Sequence, residues 1–89
     1  MIEREVEIVN RLGLHARAAA KLVQLVGGFR SDTRLAYRGR EINAKSIMGV
    51  MLLAAGFGCT ITVRVDGPDE EEAMAAIIDL FQRRFDEGQ

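Results

Sequence analysis

The sequence predicts an α+β fold in which a four-stranded, largely antiparallel sheet carries three helices on one face, in the order βαββαβα. Three observations predict it. Residues 2–9 and 60–65 alternate apolar and polar side chains, the period of a half-buried strand. Residues 32–37 and 40–43 flank Arg38-Gly39 as the arms of a hairpin. Runs with apolar residues three and four positions apart lie between these segments, and a helix so patterned needs a sheet face against which to bury its stripe.

In the first strand Ile2, Val6 and Ile8 share one face, while Glu3, Glu5 and Glu7 occupy the other. Asn10 and Gly13 supply turn chemistry. A helix is predicted from about Ala16 to Val26, because the alanines that open it are strong helix formers and Ala19, Leu22, Val23 and Val26 form a stripe. Gly27-Gly28 is expected to end it with a left-handed residue, and Phe29 to enter the core. After the hairpin, Ser46 is a candidate N-cap for a short second helix. Gly56-Phe57-Gly58 breaks the chain before a strand that turns Ile61, Val63 and Val65 inward, with Cys59 read as a small buried hydrophobe. Asp69 and Glu72 have the spacing of a capping box for the last helix, and Glu70, Glu71 and Glu72 suit its dipole. Its buried stripe is Ala73, Ile77, Leu80 and Phe81, its far end carries Arg83 and Arg84, and a frayed tail is expected over Asp86–Gln89.

At 89 residues, with 48% hydrophobic and 28% charged residues, the chain has the size and composition of one globular domain, residues 1–89. The net charge of −1 is unevenly spread: residues 1–45 hold nine Lys/Arg against five Asp/Glu (+4), and residues 46–89 hold three against eight (−5). This balance argues against duplex nucleic acid, and the aromatic side chains (Tyr37 and four phenylalanines) are too few and too core-like for a stacking platform. One cysteine and one histidine exclude an internal disulfide and a zinc set. A reducing, cytoplasmic setting is expected; secretion and membrane spanning are not, since no apolar run approaches 18 residues. With no second catalytic base and no phosphate-cradling glycine loop, the chain does not read as a free-standing enzyme.

The chemistry concentrates in Gly13-Leu14-His15-Ala16-Arg17. The single histidine falls where a helix begins, beside unpaired amide N–H groups and the positive end of a helix dipole. Arg17 adds donors in a geometry that suits phosphate. An imidazole in this setting can hold a phosphoryl group on nitrogen. A lone histidine near a helix start is more commonly a plain cap or surface residue, but small neighbours point to an exposed ring. The second segment of interest, Ile47-Met48-Gly49-Val50-Met51-Leu52-Leu53, is too apolar to be buried on one side. It reads equally as core throughout, or as two faces, Ile47, Met48 and Met51 on one and Val50, Leu53 and Ala54 on the other, of which one is exposed; an exposed methionine-rich face would suit docking.

These two segments, with Lys45-Ser46 and the Asp66-Gly67-Pro68-Asp69-Glu70 helix start, closely resemble HPr, the family of histidine-containing phosphocarriers of the bacterial phosphoenolpyruvate-dependent phosphotransferase system. The resemblance runs nearly end to end and implies an open-faced β-sandwich and a carrier without cofactor. It implies that His15 is phosphorylated on Nδ1 by enzyme I and passes the group to IIA domains, with Arg17 neutralising phosphate charge. Ser46 matches the serine modified by HPr kinase/phosphorylase where that enzyme exists. Leu14, Ala20, Ile47, Met48 and Met51 fall at partner-binding positions of a monomer. Ala18 stands where many members have proline; it keeps the helix and adds one N–H. The resemblance leaves both the sugar branch and the nitrogen-related branch open. A non-covalent regulatory α+β module, with His15 incidental, is the alternative of a different class.

Overall fold

The computed structural model describes residues 1–87 of the 89. Strand β1 (Ile2–Glu7) leads to helix α1 (Ala16–Gly27), then β2 (Asp32–Tyr37), β3 (Arg40–Asn43), α2 (Ile47–Leu52), β4 (Thr60–Asp66) and α3 (Glu70–Gln82). A short left-handed turn, Arg84–Asp86, follows. The sheet order is β1-β4-β2-β3, and every neighbouring pair is antiparallel. The predicted open-faced α+β sandwich is therefore the fold observed.

Register explains which side chains reach the core. Val6 lies opposite Ile61, and Leu35 opposite Val63, so the alternating residues of adjacent strands meet on one face. Ile61, Val63, Val65 and Leu35 are essentially sealed from solvent there, against Leu22 and Val26 of α1 and Ile77 and Phe81 of α3. Each such side chain contributes about 1.5–3 kcal/mol by leaving water. The other face is polar and solvent-facing, and Arg64 of β4 pairs there with Glu3 of β1 and, across β2, with Glu41 of β3. Arg38 (φ +52°) and Gly39 (φ +78°) both turn left-handed, as a two-residue hairpin requires.

The helix ends differ from expectation. Gly27 and Gly28 adopt no left-handed conformation; α1 instead tightens, with the Gly28 amide on the Leu25 carbonyl and that of Phe29 on Val26, both at 3.1 Å. The Asp69–Glu72 box does not form either. The Asp69 carboxylate accepts from the amides of Arg30 (2.8 Å) and Ser31 (2.9 Å), tying the α1–β2 connection to the start of α3. Glu70 is the residue that reaches back, to the Gly67 amide at 3.1 Å. Met74 joins the predicted stripe of α3, and Arg83 is held by Asp79 and Asp86.

The tail is not frayed up to Glu87; Gly88 and Gln89 lie outside the described residues. Arg84, Phe85 and Asp86 are consecutively left-handed (φ +57°, +54° and +61°), at about 1–2 kcal/mol for each L-residue. Burial of Phe85, whose ring meets Phe81 edge-to-face at 4.9 Å, offsets that strain. Lys21 Nζ also donates to the Phe85 carbonyl at 2.6 Å. The reversal folds the chain end back onto the start of α1.

Candidate functional site

His15 is the N-cap of α1. Its backbone is extended (φ −74°, ψ 179°), yet its carbonyl already accepts the Ala19 amide at 2.8 Å. The approach to this residue is fastened on both sides. Asn10 is fully buried; its Nδ2 donates to the Gly13 carbonyl at 2.8 Å, and its own carbonyl accepts the Gly13 amide at 3.2 Å. Gly13 has φ +66°, and a Cβ there would come within 2.7 Å of Gly56 Cα, so the close approach of the two loops requires glycine. The Leu14 amide then donates to the Ala55 carbonyl at 3.1 Å.

The imidazole is fixed by both nitrogens. Nδ1 accepts the Arg17 amide N–H at 3.3 Å, so it presents a lone pair to the helix start. The proton of the neutral ring is thereby assigned to Nε2, which faces a carboxylate oxygen of Glu87. The other Glu87 oxygen accepts from Asn10 Nδ2 at 3.1 Å. Burial raises the Glu87 pKa, but the hydrogen bonds from Asn10 and His15, with the nearby positive charge of Lys21, outweigh it and hold the carboxyl below its ordinary value. The His15 side chain is 27% exposed, so the ring is half-buried rather than open, with Glu87 against its Nε2 edge.

Beside the ring lies a groove of about 510 Å³ lined by Leu12, His15, Ala16, Arg17, Lys21, Asp86 and Glu87. Among the described residues the amides of Ala16 and Ala18 find no acceptor, and the Arg17 guanidinium makes no ion pair. The exposed Ala16 amide at the helix N-terminus, with an uncommitted arginine beside it, is suited to an anion. Ala18 is fully buried and does not line the groove, so the extra N–H it has over proline does not open on the site.

Ser46 caps α2: it is exposed, and its Oγ accepts the Gly49 amide at 3.1 Å. Around it the apolar residues divide as the two-faced reading expects. Val50 and Leu53 are buried, whereas Ile47, Met48 (70% exposed) and Met51 face solvent. Ala54 does not share the face of Val50 and Leu53 as its spacing suggested; it is exposed and left-handed at φ +53°, just past the helix end. Leu14 is a correction as well. At 5% exposure it packs in the core beneath the loop, so its side chain is not at the surface, as a partner-binding position would require; Ala20 is exposed. Leu12, Leu52 and Phe57 are large exposed apolar residues that periodicity did not single out. Cys59 is half-buried, with Sγ 3.0 Å from the Tyr37 hydroxyl.

The described residues hold no helix long and apolar enough to cross a membrane and no cluster suited to a metal ion. A family model described as the PTS HPr component phosphorylation site matches residues 2–83. The phosphocarrier protein HPr of Cupriavidus necator is 56% identical over 89 residues, covering all of both chains. That of Xylella fastidiosa is 60% identical over 87 residues, 98% of each chain. The crystal structure of HPr-C-His from Thermoanaerobacter tengcongensis superposes with a TM-score of 0.94 at 42% identity, covering 98% of both chains. Fold, site and relatives together define a phosphocarrier of the phosphotransferase system. The chain belongs to the HPr family.

Proposed function

We propose that His15 accepts a phosphoryl group on Nδ1 from enzyme I, charged by phosphoenolpyruvate, and delivers it to IIA domains in the cytoplasm. The observation that carries this reading is the His15 N-cap, whose Nδ1 lone pair points at the amides that open α1. In the forward step this lone pair attacks phosphorus. The bond from phosphorus to the donor breaks, and its electron pair stays with the donor. The Arg17 amide, released from Nδ1, becomes a donor to a phosphoryl oxygen, joined by the exposed Ala16 amide. The Arg17 guanidinium offsets the remaining negative charge. None of these groups encloses the phosphate, which suits a carrier that must surrender it.

The exposed face of α2 (Ile47, Met48, Met51 and Leu52), extended by Leu12 beside the groove, serves as the docking surface for both donor and acceptor. Ser46 lies at the edge of this surface. Phosphorylation there by HPr kinase/phosphorylase would place about −1.5 to −2 charges beside an apolar contact and weaken docking.

Incubation with enzyme I and labelled phosphoenolpyruvate tests the reading. The wild-type chain acquires label, and His15→Ala acquires none while keeping its circular dichroism spectrum. Equal labelling of the two would overturn it.

A further inference from the structure

Resting on the reading of His15 as the phosphoryl acceptor, we propose that Glu87 is a positioning residue for transfer, holding the imidazole by its Nε2–H and balancing the charge the ring gains. Three observations converge on it. The Glu87 carboxylate is 9% exposed and engages both His15 Nε2 and Asn10 Nδ2, so it is placed by the same buried asparagine that shapes the loop before the histidine. The chain reaches this position only through the left-handed run Arg84–Asp86, an outlying backbone conformation maintained by the burial of Phe85 and the Lys21 hydrogen bond. Strain of this kind is characteristically kept where it aims a functional group. Finally, Nδ1 is already committed to the Arg17 amide, so the two contacts specify one tautomer between them.

The consequence for the chemistry is direct. When Nδ1 bonds to phosphorus, the proton stays on Nε2 and positive charge develops on the ring. A carboxylate hydrogen-bonded at Nε2 stabilises that charge without a proton changing hands. Its own negative charge lies across the ring from the nitrogen that the phosphoryl group approaches, so repulsion of the incoming phosphate is limited. The arrangement parallels the carboxylate–imidazole pairs that orient a histidine for reaction or metal binding.

Glu87→Ala and Glu87→Gln test this, with two readouts. In proton NMR of the unphosphorylated wild-type protein, the His15 Nε2 proton is expected far downfield and slow to exchange. It should vanish from view in Glu87→Ala and persist, less shifted, in Glu87→Gln, which still accepts. In the transfer assay kcat is expected to fall about tenfold in Glu87→Ala, with the KM for enzyme I unchanged, and to fall less in Glu87→Gln. A wild-type spectrum without this proton, or a Glu87→Ala variant with wild-type kcat, would overturn the proposal. So would parallel losses of kcat, docking and melting temperature, which mark a purely structural role. The NMR readout needs no phosphate, so a failure of His15 to accept it would be seen separately.

Discussion

Arg17 contributes to the site through two separate groups. Its backbone N–H fixes Nδ1, and its guanidinium lines the groove. Arg17→Ala keeps the first and removes the second, so it is expected to slow transfer by on the order of 10- to 100-fold without loss of thermal stability, as read by stopped-flow transfer and calorimetry. At this scale His15 and Arg17 were legible because their setting is local: a turn, a helix start and a neighbouring cation within a few positions. Glu87 was not. It lies 72 positions from His15, in a tail whose polar ending reads as disorder. No periodicity marks Phe85 as its anchor, since the backbone reverses its hand at that residue. Leu14 was misplaced for the opposite reason, as adjacency to a reactive residue does not say which way a loop side chain points.

Among the elements, α2 is the most sensitive to its cap. Its six residues make little of their own hydrogen-bond ladder, so Ser46→Ala is expected to cost about 1 kcal/mol in denaturant unfolding. Ser46→Asp keeps a capping oxygen and should match wild-type stability, while its charge raises the KM for enzyme I. The start of α3 makes a pH prediction. The amide of Arg30 and the hydroxyl and amide of Ser31 hold the Asp69 carboxyl below its ordinary 3.8, outweighing the opposing effect of burial. Its folded pKa lies under its unfolded one, so the unfolded chain binds more protons as pH falls. The stability Asp69 confers is complete above the unfolded value and is lost as pH drops through the folded one. Melting temperature should therefore fall on acidification below about pH 4, and Asp69→Asn should start lower and decline less steeply. The spacing of Asp69 and Glu72 suggested a box because capping rules see only the local chain. Two unpaired amides arriving from α1 were the stronger competitors for that carboxylate.

For the whole molecule, the sheet and the helix order were legible because each apolar stripe admits one economical partner, the inner face of the sheet. Which face of α2 remained uncovered was not, since both carry large apolar side chains and only packing against α1 and β3 decides between them. Met48→Asp should therefore raise the KM for enzyme I at least tenfold with kcat and folding intact, because Met48 supports no buried contact that the fold needs. Phe85→Ala acts in the reverse sense. It should cost about 3 kcal/mol by opening a cavity under the tail, and also reduce transfer by releasing Glu87.

The claim on which these expectations depend is that the imidazole reacts through the nitrogen turned toward the α1 amides. Phosphorus–nitrogen correlation NMR on 15N-labelled protein, phosphorylated with enzyme I and phosphoenolpyruvate, reads this directly. The account predicts a single phosphoryl group coupled to Nδ1 of His15, with the Arg17 amide resonance displaced. Coupling to Nε2, or phosphate bound at any other side chain, would contradict it.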